Sequence, residues 1–332
     1  MSAGYNLKEG VYEHRSASDD ELWSALSVVF SNKSKNDTSY KFGFLKSIID
    51  NLYNVDADLK LTFDQLFSKF GEIYWNLVLK YGLRQKAATY DNRETALERA
   101  LHAAQVKYSI TEPIPYESLT PDMMLDISHS IKIKCKENVV GALFEDTRHL
   151  FYSFSKKGEW IQINPDMYSF ICKHKVLIEK LNYYEWAKFL EKVNEETAST
   201  RLLNKIDESS KRNNLKVYRS ILYQEFESKT CFYCGKKLDP NSIHVDHFIP
   251  WSFIKDDNLW NLVLSCPTCN LKKNDRLPDI SFLSRIVDRN KVILLESHNS
   301  DMKNYRVDTI SKIYSWAQVN GYDDQWKPSK AV

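Results

Sequence analysis

No stretch of this chain approaches the roughly 18 consecutive apolar residues that a membrane span requires. Its first residues, MSAGYNLKEGVYEHRSASDDELW, carry neither a basic n-region nor an apolar h-region, so the expectation is a cytoplasmic protein without membrane contact. Cysteine is sparse, and six in 332 residues do not build a disulfide scaffold. A strong charge of one sign is also lacking, with a formal net charge of +2, and there is no internal repeat or low-complexity tract. What is left is an ordinary globular composition, 43% hydrophobic, in a chain long enough for two or three domains.

The charge is unevenly placed. Residues 1–200 carry 25 basic and 28 acidic side chains, whereas residues 201–290 carry 15 and 11. The positive excess fits a phosphate-contacting surface in the second region, although a solvated face with a small charge fluctuation gives the same count.

Most of the chain reads as helix. Ser18-Asp19-Asp20-Glu21 has the form of a capping box and predicts a helix from Asp19 to about Phe30. Apolar residues recur at helical spacing at Phe42, Leu45, Ile48, Ile49 and Leu52, and again from Leu66 to Leu79. A further helix begins near Arg93, and Pro113, Pro115 and Pro121 then interrupt the chain. From about Ile131 to Ile163 the composition turns β-rich, which predicts a small hairpin or meander with its turn at Lys157-Gly158. Helix resumes after Pro165, a polar stretch at 195–199 marks a domain boundary, and another helix is expected over Ser209 to Glu227. Aromatic residues such as Tyr74, Trp75, Tyr183, Tyr184, Trp186, Tyr314 and Trp316 sit mostly at helical spacing and are read as core rather than as a base-stacking platform. Cys135 and Cys172 are read as small buried apolar residues, and the histidines outside the segment discussed next have no ligand spacing.

The chemistry is concentrated in CFYCGKKLDPNSIHVDHFIPWSFIKDDNLWNLVLSCPTCNLKKND. Cys231 and Cys234 form one C-x-x-C, Cys266 and Cys269 another, which is the spacing of a tetrahedral zinc site with four thiolate ligands. Four thiolates leave no open position for water, so this zinc is structural, replacing a core that a small unit cannot build. Between the pairs, residues 242–247 alternate like a strand that ends in Asp246-His247. Asn261 opens a second short strand, and a helix beginning at Cys266 carries Asn270, with Lys272, Lys273 and Arg276 behind it. A carboxylate, an imidazole and one amide are thus bracketed by one metal clip, and a second amide follows its last cysteine.

In that order of D-H, N and N, with C-x-x-C pairs before the D-H and before the last N, the segment resembles the zinc-containing branch of the HNH (ββα-metal) endonucleases. The resemblance covers about 45 of the 332 residues. It implies an α+β chain with a mostly helical N-terminal recognition or regulatory domain (1–199) and a C-terminal zinc-stabilised ββα-metal nuclease domain (200–332). It further implies that His247 is the general base and that Asp246 and Asn270 hold one magnesium or manganese ion. Asn261 would brace the loop that orients the histidine. Lys272, Lys273 and Arg276 are read as phosphate contacts, with a solvated helix face as the alternative. His244, Asp256 and Asp257 match nothing that the pattern requires and are given no role. The expected activity is metal-dependent hydrolysis of DNA, with a role in prokaryotic defence against foreign DNA. The alternatives are cleavage of RNA and a zinc-stabilised nucleic-acid-binding module without catalysis. One such site cuts one strand, so double-strand cleavage requires a homodimer, a second nuclease or sequential nicks, and an activating or ATPase partner is a further expectation.

Overall fold

A computed structural model of the chain describes residues 4–86, 94–195, 198–210, 215–225, 229–296 and 302–329. The chain divides into two compact units, Met1–Lys211 and Arg212–Val332. Among the described residues no helix is long and apolar enough to cross a membrane.

The first unit is a helical assembly with one small sheet. Helices α1 (Asp19–Val29), α2 (Tyr40–Asp50), α3 (Phe63–Tyr74) and α4 (Ala96–Lys107) precede two long ones, α5 (Pro121–Asp146) and α6 (Pro165–Val193), and a short α7 (Leu202–Asp207). Capping boxes start three of them: Ser18 with Glu21, Thr62 with Gln65, and Thr95 with Glu98. In each, two backbone N–H groups that the helix itself cannot satisfy gain partners. Strands β1 (Glu9–Gly10), β2 (Lys60–Thr62), β3 (Tyr152–Ser155) and β4 (Trp160–Ile163) form one antiparallel sheet in the order β1-β3-β4-β2.

Two expectations change here. The hairpin is real and turns around Lys157-Gly158, but β1 and β2 flank it, and its first strand begins only at Tyr152. Residues 131–146 are the second half of α5. Pro121, read as an interruption, occupies the first helical turn, where its missing N–H costs nothing, and the Thr120 hydroxyl accepts from the Met123 N–H. Ile127, Ile131, Cys135, Val139 and Leu143 then face the core at steps of four.

The aromatic side chains are largely core. Tyr74, Trp75, Trp186 and Tyr314 are buried, and Tyr183 is nearly so, whereas Tyr184 is exposed. Tyr183 belongs to a buried polar network: Lys46 pairs with Asp50 at 3.0 Å and donates to the Tyr183 hydroxyl at 2.8 Å, which donates to Glu179 at 2.7 Å. Burying these charges is tolerated because each has a partner.

The second unit contains α8 (Lys216–Glu225), β5 (His244–His247), α9 (Trp251–Ile254), β6 (Leu262–Ser265), α10 (Pro267–Lys273), β7 (Leu277–Pro278), α11 (Leu283–Glu296), α12 (Thr309–Val319) and β8 (Gln325–Trp326). α8 starts later than the apolar pattern suggests, because Ser209 and Ser210 lie in a turn of the first unit, and residues 211–214 and 226–228 lie outside the described residues. β5 and β6 are antiparallel, with Asp246 opposite Val263 and His247 opposite Leu262. α10 follows β6 directly, so strand, strand and helix form one ββα unit. Phe248, Ile249, Phe282, Ile286, Ile310, Tyr314 and Trp326 are buried around it, and β7 pairs with β8 in parallel.

Candidate active site

The four cysteines come together at the edge of this unit. Their sulfur atoms all lie within 4.8 Å of one another, and Cys234 and Cys266 are 3.9 Å apart. Four thiolates around an ion at about 2.3 Å are roughly 3.8 Å from each other at the corners of a tetrahedron, so the cluster fits a structural metal such as zinc. The turn that makes the first pair is closed by Gly235 N–H to the Cys231 carbonyl at 2.9 Å and by Cys231 N–H to the Lys236 carbonyl at 2.7 Å. Gly235 has φ +69°, where a side chain would be strained. The Phe232 N–H donates to the Leu264 carbonyl at 2.9 Å and fastens this knuckle to β6. Cys266 precedes Pro267 at the start of α10, so the second pair is set by helix geometry. Burial pushes the Cys231 and Cys269 thiols up. Burial acts upward on Cys266 too, but hydrogen bonds from the Cys269 N–H and the neighbouring thiols outweigh it and bring that thiol down. A metal bound here displaces protons, so its affinity falls as pH is lowered.

Strand alternation separates the two residues of the Asp246-His247 pair. Asp246 and His244 meet α10 and the first knuckle. The Asp246 Oδ2 atom accepts from the Tyr233 hydroxyl at 2.6 Å and lies 3.2 Å from the Lys273 ammonium, leaving Oδ1 without a partner among the described residues. Burial and the adjacent carboxylate hold the Tyr233 phenol well above its ordinary pKa, so it stays a donor. Asn270 donates from Nδ2 to His244 Nδ1 at 3.0 Å, which leaves its amide oxygen available. His247 turns to the loop between the strands, where its Nε2 lies 2.7 Å from Asp257 Oδ1 with both side chains buried. With the Nε2 proton donated to that carboxylate, Nδ1 is the basic nitrogen of the ring. The Tyr218 hydroxyl of α8 donates to the Asp257 carbonyl at 2.8 Å and anchors this loop.

Asn261 holds the chain just after the histidine. Its side chain accepts from the Ile249 N–H at 2.8 Å and donates to the Ile249 carbonyl at 2.9 Å, while its own carbonyl accepts from Phe248 N–H at 2.7 Å. Arg289 and Asn290 of α11 brace the same turn from behind through the Trp260 carbonyl, at 3.0 and 2.9 Å. Asn261→Ala leaves a buried N–H and a buried C=O without partners, at a cost of about 2–4 kcal/mol. A urea titration of the second unit's unfolding is expected to show a lowered midpoint with an unchanged slope.

The three cations expected behind Asn270 are placed differently, and Arg276 lies beyond the end of α10. Lys272 is exposed. Lys273 is fully buried and donates to the His247 carbonyl at 2.7 Å besides facing Asp246. Arg276 is half-buried, reaches the Lys272 carbonyl at 2.5 Å, and has its guanidinium 3.8 Å from Asp324. Asp257 is the residue that the sequence leaves without a role. An acidic residue in a loop beside a second one, Asp256, carries no spacing signal; only the shortness of the loop between His247 and Leu262 limits which acid can turn back to the ring.

Residues 231–279 match the family model of HNH endonucleases. The matched segment starts at the first cysteine ligand and ends after α10, so it spans the knuckles, the hairpin and the helix that carries Asn270. No curated protein and no solved structure matches the chain.

Proposed function

We propose that this chain is a metal-dependent endonuclease that hydrolyses phosphodiester bonds of DNA, with its chemistry in the ββα unit. The observation that carries the reading is the buried His247–Asp257 pair at 2.7 Å, on the same short strand as Asp246, whose second oxygen has no partner among the described residues. A module that only bound nucleic acid would have no use for an imidazole with an assigned proton on one nitrogen and a lone pair on the other.

Phosphodiester hydrolysis needs an activated water, neutralisation of charge at phosphorus and help for the leaving oxygen. His247 takes the proton of the attacking water at Nδ1, and Asp257 stabilises the imidazolium that results. Asp246 and Asn270 offer hard oxygen donors, which suit magnesium or manganese. Such an ion, when bound, supplies the charge neutralisation at the scissile phosphate. Tyr233 and Lys273 fix one Asp246 oxygen and so direct the other outward. Asn261 keeps the histidine's loop in register. The helical first unit is then the recognition or regulatory part of the protein.

The test is incubation of the full chain with end-labelled DNA and RNA of the same sequence, with magnesium or manganese and with EDTA. Metal-dependent internal cleavage of DNA is expected. Cleavage of RNA alone contradicts the substrate reading, and binding of either polymer without cleavage under every metal condition contradicts the enzyme reading.

A further inference from the structure

A groove of about 440 Å³ lies beside the cysteine cluster, lined in part by both knuckles, the outer face of α10 and the segment after β8. Its walls include apolar Leu238, Trp326 and Pro328, and Lys236, Lys237 and Lys272 project from it. None of these three ammonium groups has a hydrogen-bond or ion-pair partner among the described residues, and a single carboxylate, Asp239, shares the lining.

The lysines are held by rigid backbone. The Lys236 carbonyl accepts from Cys231, Lys237 bridges to Thr230, and the Leu238 N–H donates to the Lys229 carbonyl at 2.8 Å. Lys272 stands two residues after Asn270 on α10 and lines the groove together with Cys269. Hence a cationic, partly apolar groove runs along the side of α10 away from Asn270, outside the candidate catalytic residues.

We infer that this groove holds a flanking segment of the substrate strand away from the cleavage site, with backbone phosphates against Lys236, Lys237 and Lys272 and sugar or base edges against Leu238, Trp326 and Pro328. This rests on the nuclease reading and extends it to a surface outside the catalytic residues. Charge complementarity argues for a polyanion, because three ammonium groups without partners among the described residues neutralise phosphates and release the counterions of the strand. The apolar wall argues against free phosphate, which has nothing to place there, and for a nucleotide chain, which has both parts.

The experiment uses the full, metal-loaded chain made inactive by His247→Ala, and measures binding of a fluorescein-labelled duplex by anisotropy between 50 and 300 mM salt. Adding Lys236→Ala and Lys237→Ala is expected to weaken binding roughly tenfold at 100 mM salt and to reduce the slope of log affinity against log salt by about 1.8, two phosphate contacts. Bound metal is measured in both proteins and is expected to be equal. Unchanged affinity and slope, with the parent still binding DNA, overturns the groove and leaves the nuclease reading standing. A parent that binds no DNA overturns both.

Discussion

Removing the metal from Cys231, Cys234, Cys266 and Cys269 unfolds the ββα unit and leaves the helical unit intact. The strands of this unit are four residues each and α10 has seven, which is too little to be stable in isolation. A structural zinc site contributes about 10–16 kcal/mol at neutral pH, comparable to the whole stability of a typical domain at about 5–15 kcal/mol. With the ion gone, two of the four thiols are held in their neutral form by burial, and nothing replaces the crosslink between the first knuckle and α10. The measurement is limited proteolysis of the full chain before and after exhaustive chelation. Cuts are expected within residues 229–279 of the chelated protein, with a protected fragment ending near Lys211. Cys269→Ser should behave as the chelated protein does. Equal protection with and without chelator would mean that α11 and α12 suffice to hold the unit.

His247→Ala lowers the cleavage rate by about 10²–10⁴-fold, the range for loss of a general base. Asp257→Asn tests the arrangement more finely. An amide in place of the carboxylate can present its own N–H to Nε2, which drives the ring proton to Nδ1 and removes the lone pair that takes the proton from water. Its expected effect is a fall in kcat of roughly a hundredfold or more with KM almost unchanged, since neither side chain is placed to hold the substrate. Asp257→Glu, which keeps the charge, should recover part of the rate. If Asp257 serves only to fill its buried position, Asn substitutes for it with little change in kcat, and stability rather than turnover separates the variants.

The parts of this account that could be read from the sequence are those fixed by local geometry. Two C-x-x-C pairs specify a four-thiolate cluster because each pair is set by a tight turn or a helix start, independent of the rest of the fold. The capping box at Ser18 places a helix start for the same reason. Pro121 shows the limit of such signals: a proline marks either a break or a first turn, and only Thr120 before it and the four-residue spacing after it choose between them. Lys272, Lys273 and Arg276 look alike as charges on one short helix, yet packing of α10 against β5 turns Lys273 inward, four residues from Cys269 on the same buried face. Asp257 depends on the path of a loop, and the Lys46 network depends on two helices meeting. Neither has a pattern in the chain, because the partners are set by tertiary packing rather than by spacing.

The central claim is that His247 activates water for phosphodiester cleavage with the help of a hard divalent cation. Cleavage of supercoiled plasmid by the wild type and by His247→Ala, each with magnesium, with manganese and with EDTA, tests it most directly. Nicking by the wild type that needs the cation and disappears in the variant is the predicted result; nicking by His247→Ala at the wild-type rate, or by the wild type in EDTA, would contradict it.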